Sequence, residues 1–150
     1  MRFVLIAILA ITVSACATAS PTQSVQKQSS NQGNELEPRQ LGVGECGLFV
    51  WTADTKKRFI LFSQADLASG AWFNDGEERP VTIETQDGHS SERQYAQIAF
   101  DTIGSDKLHL SLQDYSRIAS GTRYQSGTLT QTTGEGWEKI VPVIGLTACR

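Results

Sequence analysis

Few side chains in this sequence are of the types that carry catalytic or metal chemistry, and their spacing suits neither. Histidine occurs only twice, at His89 and His109. No His-x-His or His-Glu-x-x-His spacing is present, although such spacings place two imidazoles around one metal ion. His109 alternates with leucines in KLHLSLQ, which predicts the outward face of a strand, and His89 lies in a polar turn. We therefore expect both to be solvated polar residues, and we expect no metal or other cofactor.

The sequence also lacks the motifs of a catalytic serine and of a phosphate-binding loop. No Gly-x-Ser-x-Gly elbow occurs, and the glycine cluster at residues 42–47 lacks the Lys-Ser/Thr of a phosphate loop. The acidic run Asp75-Gly76-Glu77-Glu78 lacks the spacing of a calcium loop and is expected to be a solvated turn. Any two of the acidic residues could converge in a fold, so a carboxylate-based hydrolase stays open as the lowest-ranked function.

Cys16 closes a stretch that has the order of a bacterial export signal. Arg2 supplies a positive charge, and residues 3–13 are apolar except for one threonine. A run of that length is typical of a secretory signal and is too short to span a bilayer as a helix. Val13-Ser14-Ala15-Cys16 resembles the lipobox of bacterial lipoproteins. The resemblance implies cleavage before Cys16, acylation of that cysteine and, with Ala17 next, an outer-membrane anchor with the domain facing the periplasm.

The chain divides into three parts by composition. Residues 1–15 are the predicted signal peptide, residues 16–40 the lipidated cysteine with a flexible tether, and residues 41–150 a single domain. The tether is mainly Ser, Thr, Gln, Asn and Pro, so it cannot bury enough apolar surface to offset its ordering entropy. A flexible coil of this length reaches roughly 27 Å.

The net charge argues against a nucleic-acid partner, and the cysteine count predicts a disulfide. Loss of Arg2 with the signal shifts the formal charge from −3 to −4, which gives no basic face for nucleic acid. Cys46 and Cys149 then form an even pair in an oxidising compartment, so we expect a disulfide closing a loop of about 100 residues. Two free buried thiols or a metal site are the alternatives, although two cysteines without a nearby histidine make a poor zinc site.

The periodicity of residues 41–150 is that of β-strands. In KLHLSLQ the three leucines Leu108, Leu110 and Leu112 share one side, and turn signals recur about every ten residues. This pattern predicts a small antiparallel barrel or sandwich of about 7–8 strands. The predicted strands cover residues 47–52, 58–63, 79–86, 93–101, 107–113, 122–132 and 137–147.

Two local features interrupt the strand pattern. One short helix is predicted over residues 64–69, because Ser63 is a suitable N-cap and Gly70 stands where a helix would stop. Pro142 has no backbone N–H to donate to a neighbouring strand, which predicts that its strand is at an edge or bulged there.

Aromatic residues supply the candidate recognition surface. Trp51 lies in an apolar strand and is expected in the core. Trp72 and Phe73 precede the acidic turn, and exposed aromatics beside polar groups are common in binding sites. The alternative is that this pair covers the core.

A second resemblance involves the C-terminal third of the chain. Ser120-Gly121-Thr122-Arg123-Tyr124 resembles the Ser-Gly-x-x-Tyr motif of the membrane-bound inhibitors of C-type lysozyme, which are small β-barrel lipoproteins with a C-terminal disulfide cysteine. In that family a serine and a lysine occupy the two catalytic carboxylates of lysozyme. The resemblance implies these roles for Ser120 and, within Trp137-Glu138-Lys139, for Lys139. The spacing from Tyr124 is longer than the family's, and Lys139 lacks the glycine that follows the family lysine.

The sequence therefore predicts an outer-membrane lipoprotein with one all-β domain that acts as a non-enzymatic binding or structural module. Its expected partners are the membrane, through Cys16, and an envelope protein. The main alternative is an inhibitor of C-type lysozyme that acts through Ser120, Tyr124 and Lys139. The pattern does not predict the ligand, the strand order or the oligomeric state.

Overall fold

The computed structural model describes residues 33–65, 69–87 and 97–150. The predicted signal, Cys16, most of the predicted tether and His89 lie outside these residues. The strands are β1 (Cys46–Thr52), β2 (Phe59–Gln64), β3 (Ser69–Asn74), β4 (Glu77–Asp87), β5 (Gln97–Thr102), β6 (Lys107–Ile118), β7 (Gly121–Thr132) and β8 (Glu138–Cys149). The all-β class is confirmed. In the part of the chain that is described, no helix has the length and hydropathy needed to cross a membrane.

The eight strands form one closed antiparallel barrel in the order of the chain. Each strand pairs with the next, and β8 returns to pair with β1 from Cys46↔Cys149 to Thr52↔Val143. Closure removes the edge strands, whose unpaired backbone groups would otherwise be available for association. A disulfide joins Cys46 and Cys149 across this seam, as predicted.

Strict alternation along the strands fills the interior. In β6 the side chains of Leu108, Leu110 and Leu112 are buried while His109 is exposed, because successive residues of a strand face opposite sides. The core contains side chains from all eight strands: Leu48, Val50, Ile60, Leu61, Trp72, Val81, Ile98, Phe100, Leu108, Leu110, Leu112, Tyr124, Leu129 and Val143. An eight-stranded barrel is just wide enough to be filled by side chains or to hold one small ligand.

A second apolar cluster lies outside the barrel, on β1, β2 and β3. Residues 34–41, which we call the strap, run across it. Leu36 is 3 % exposed in this cluster, and its N–H donates to the carbonyl of Phe59 at 2.7 Å. Trp51 packs against the same cluster and is half-buried, so the expectation that it lies in the core is wrong. Both faces of β1 are covered, and the packed chain begins ahead of the composition change at residue 41.

The turns distinguish the two ends of the barrel. We call the end with the β1–β2, β3–β4, β5–β6 and β7–β8 turns the mouth, and the end with Cys46, Cys149 and the β6–β7 turn the base. The β3–β4 turn is Asp75-Gly76, with φ angles of 51° and 88°. Two positive φ angles in a two-residue loop are typical of a type I′ hairpin, whose twist matches that of the strands.

The segment predicted as a helix belongs to strands at both of its ends. Gln64 is the last residue of β2 and Ser69 the first of β3, and residues 66–68 lie outside those described. The prediction of a helix over residues 64–69 is therefore wrong at both ends. Strand β3 was also not predicted, because it is buried on both faces and its sequence SGAWFN shows no alternation.

Of the two environments predicted for Pro142, an edge strand and a bulge, the structure shows the bulge. Strand β8 pairs with β7 on one side and β1 on the other, so it is not an edge. Pro142 lies beyond the last pair with β1 and opposite Thr128, where β7 resumes pairing after a bulge that starts at Tyr124. The missing N–H is accommodated where the ladder is already interrupted.

Candidate binding site at the mouth of the barrel

Polar side chains end the inward-facing rows at the mouth. Two positions after the buried Trp72, β3 ends in Asn74, and two positions after Leu129, β7 carries Gln131. Lys139 at the start of β8 pairs with Gln131. Because residues two apart on a strand share a face, these polar groups point toward the same opening above the core.

A cavity of about 500 Å³ opens there, which we call the mouth cavity. Its volume is within the range of about 300–1,000 Å³ found for small-molecule sites. Trp72 is 3 % exposed and belongs both to the core and to the cavity wall. The wall has seven polar or charged side chains, five apolar ones and one glycine: Asn34, Thr52, Arg58, Ile60, Trp72, Phe73, Asn74, Asp75, Gly76, Leu129, Gln131, Lys139 and Val141.

Lys139 connects two sides of the mouth. Its Nζ donates to Oδ1 of Asn74 at 3.3 Å and lies 3.6 Å from Oδ1 of Asp75. Gln131, opposite Lys139, donates from Nε2 to the carboxylate of Asp106 at 2.9 Å. These contacts hold the amides in place, so the polar groups are positioned before any ligand arrives. Preorganisation of this kind reduces the entropic cost of binding.

The β1–β2 turn is held by the carboxylate of Asp54. It accepts hydrogen bonds from the hydroxyl of Thr52 at 2.9 Å and from the backbone N–H groups of Lys57 at 2.9 Å and Lys56 at 3.0 Å. These donors, Thr52 first, lower the pKa of Asp54 below its ordinary 3.8. The ionised form is thus favoured, and it also pairs with Nη2 of Arg58 at 3.3 Å.

Arg58, which directly precedes β2, has a buried hydrogen-bond donor without a partner among the described residues. This donor is its Nε, while other parts of the side chain form part of the cavity wall. A buried donor without a partner costs about 1–3 kcal/mol and is rare in native proteins.

The structure brings together some of the residues singled out in the sequence. Trp72, Phe73 and Lys139 all line the mouth cavity. Trp72 is buried and Phe73 is half-buried, so neither is a freely exposed aromatic. Their contribution to a site would come from the cavity wall rather than from a protruding surface.

Ser120 and Tyr124 lie elsewhere. Ser120 is in the β6–β7 turn at the base, where its carbonyl accepts from the N–H of Cys149 at 2.9 Å. Tyr124 is 3 % exposed and pairs with Gly145. Neither residue lines the mouth cavity.

The separation of Ser120 from Lys139 has a direct consequence. Gly121, next to Ser120, pairs with Ala148, which is nine positions along β8 from Lys139. At about 3.3 Å per residue these positions are roughly 30 Å apart along the strand. The two catalytic carboxylates of a retaining glycosidase such as lysozyme are only about 5 Å apart. Ser120 and Lys139 are therefore not placed to contact such a pair together.

Sequence reasoning missed Thr52, Arg58, Asn74 and Gln131. The sequence contained a signal for two of them. Asn74 and Gln131 each follow a large apolar residue by two positions, so each faces the same side of its strand as that buried residue. Polar residues at strand ends are usually solvated, and only the barrel closure shows that these ends meet around one opening.

Comparisons with known proteins identify no relative from which a function of this site could be transferred. No family model, curated protein or solved structure matches the chain. Among the described residues, no group of three or more His, Cys, Asp or Glu side chains is placed to hold a metal ion.

Proposed function

We propose that this chain is a lipid-anchored, non-enzymatic binding protein of the bacterial outer membrane, whose barrel faces the periplasm and holds a small polar ligand in the mouth cavity. The anchor and the location rest on the lipobox resemblance at Cys16. The binding role rests on the mouth cavity. The ligand carries hydrogen-bond acceptors and an apolar face that packs toward Trp72.

The observation that carries the binding role is the convergence of Lys139, Asn74 and Gln131 on one cavity of about 500 Å³ at the mouth. The ammonium group of Lys139 and the amides of Asn74 and Gln131 offer hydrogen-bond donors to a ligand. Convergent polar groups beside apolar side chains in a concave surface are typical of small-molecule sites, and the large polar share of this wall favours a polar ligand.

The carboxylates near the mouth favour binding over catalysis. Asp75 is the single carboxylate among the described residues of the cavity wall. Hydrolysis of glycosides by carboxylates uses two acidic groups that flank the scissile bond. Asp54 is occupied by the β1–β2 turn, and Asp106 accepts from Gln131.

Ligand-detected NMR on the purified protein tests the binding role. The probes are a panel of short carboxylic acids, amino acids and monosaccharides. We expect at least one probe to bind, and Lys139→Ala to weaken it about tenfold, since a hydrogen bond to a charged group contributes about 1.5–3 kcal/mol. Lys56→Ala is the matched control, because Lys56 is exposed and does not line the cavity. Equal effects of the two variants would exclude the mouth as the site.

The anchor and the inhibitor alternative need separate tests. Cys16→Ser should abolish incorporation of a palmitate analogue and release the protein from the membrane fraction, whereas lipid labelling of that variant would contradict the anchor. If micromolar protein slows a C-type lysozyme and Lys139→Ala removes the effect, the inhibitor alternative is favoured instead.

A further inference from the structure

A second concave surface lies on the outside of the barrel and extends to Lys57 in the β1–β2 turn. We call it the outer groove. It has a volume of about 680 Å³ and is formed by residues of β6, β7, β8 and β1 and of the β1–β2 turn. It is lined by Trp51, Lys57, Ser116, Arg123, Tyr124, Gln125, Ile144, Gly145 and Leu146.

Strand register explains why these residues meet. Arg123 on β7 stands opposite Ser116 on β6 and opposite Leu146 on β8. Trp51 on β1 stands opposite Ile144 on β8, two positions from Leu146. Directly opposed residues share a face of the sheet and lie about 5 Å apart, so the groove is built on a rigid ladder.

The groove has a charge unlike that of the rest of the chain. The protein has 16 acidic and 13 basic residues, yet the described wall of the groove has two cations, Lys57 and Arg123, and no carboxylate. Neither cation forms an ion pair with a described residue, whereas Arg39, Arg58 and Arg79 each pair with a carboxylate. A ligand that carries an anionic group complements this surface.

The floor of the groove is aromatic and held in position. The Trp51 ring stacks with Phe49 at a centroid distance of 6.2 Å and contacts Phe59 at 5.5 Å. Ile144 adds apolar surface beside it, and Ser116 and Gln125 add a hydroxyl and an amide. A flat molecule with hydroxyl groups on its edges matches this combination better than a simple hydrocarbon chain does.

We propose that the outer groove binds an acidic saccharide. One sugar ring packs against Trp51 and Ile144, and its carboxylate or phosphate is bound by Arg123, with Lys57 as the second cation. A planar guanidinium forms two parallel hydrogen bonds to either anion. This site is independent of the mouth cavity and uses none of its lining residues.

Titration calorimetry on the full-length protein at low salt tests the site with three probes: a galacturonic acid trimer, a neutral galactose trimer, and glucose 6-phosphate. We expect the acidic trimer to bind and the neutral trimer to bind at least tenfold more weakly. Stronger binding of glucose 6-phosphate would assign the anion as phosphate, and stronger binding of the acidic trimer would assign it as carboxylate.

Variants locate the bound anion. Arg123→Gln should weaken binding about tenfold, and Lys57→Gln severalfold. Lys56→Gln is the matched control, because it removes the same charge from the same turn at a residue outside the groove. Trp51→Phe should remove the change in tryptophan fluorescence on binding.

Two results would overturn the assignment: equal affinity for the acidic and neutral trimers, or equal effects of Lys56→Gln and Lys57→Gln. The assignment would also be overturned if Lys139→Ala lost saccharide binding while Arg123→Gln kept it. That result would place the saccharide in the mouth cavity instead. Failure of every probe at millimolar concentration would exclude an acidic-saccharide site without affecting the proposed role of the mouth.

Discussion

The disulfide at the seam should supply a large share of the stability of the barrel. Cys46 and Cys149 are 103 positions apart in the chain, so the crosslink closes nearly the whole domain into one loop. In the chain-entropy model a loop of about 100 residues is stabilised by about 4.7 kcal/mol at 25 °C. Native domains have only about 5–15 kcal/mol of stability in total. Loss of the crosslink should therefore leave a marginally folded protein.

The perturbation is the double variant Cys46→Ala with Cys149→Ala. Alanine is preferred to serine because Cys46 is 5 % exposed, and a buried hydroxyl would add its own desolvation cost. For a domain of this size each kcal/mol shifts Tm by about 4 °C, so we expect Tm to fall by about 15–20 °C.

Thermal and urea unfolding followed by far-UV circular dichroism measure this loss. The oxidised wild type, the reduced wild type and the double variant are compared, and the double variant should not respond to reductant. A loss below about 1 kcal/mol in both the reduced protein and the double variant would refute the loop-entropy account.

Three further predictions concern local contacts. Gly121→Ala should destabilise the barrel by about 2–3 kcal/mol in urea unfolding, because its Cβ would lie 1.8 Å from a backbone oxygen of β8. Gly44→Ala, with a φ of 82° and open space around it, should cost only about 1 kcal/mol; equal costs would contradict the steric reason. Leu36→Ala should speed hydrogen exchange of the strap while the amides of the barrel core keep their protection, and faster exchange throughout the barrel would show that the strap is not a local unit. The pKa of Asp54 in the folded protein is lowered, chiefly by the hydroxyl of Thr52. The ionised carboxylate should therefore stabilise the β1–β2 turn above pH 3.8, and this stabilisation should be lost as the pH falls through the pKa of Asp54 in the folded protein. NMR shifts of the turn amides should show this transition in the wild type and lack it in Asp54→Asn.

Strands that bury one face were predictable from the sequence. Leu108, Leu110 and Leu112 alternate with polar residues because the outer face of β6 is solvated there. The β1–β3 region was harder, because the strap and its aromatic cluster cover the outer face as well. Trp51 and the whole of β3 were misjudged for this reason, since burial on both faces removes the alternation on which the prediction depends.

The mouth could not be predicted because it depends on closure of the barrel. Asn74, Gln131 and Lys139 are far apart in sequence, and each resembles an ordinary solvated strand end. Only the register of β7 with β8 and the return of β8 to β1 place them around one cavity. The distance between Ser120 and Lys139 follows instead from the length of the β7–β8 ladder, which places Ser120 beside the base and Lys139 at the mouth.

The position of the disulfide also has a mechanical consequence. Tension that enters the chain ahead of the barrel first loads the strap, whose contacts with β2 can peel away one at a time. It then reaches Cys46, and the disulfide transmits it directly to Cys149 rather than through the strands. The eight strands lie inside a covalent loop that such tension bypasses. Under such a load the strap would detach and remove Asn34 from the wall of the mouth cavity, whereas the outer groove, which has no strap residue in its wall, would keep its lining.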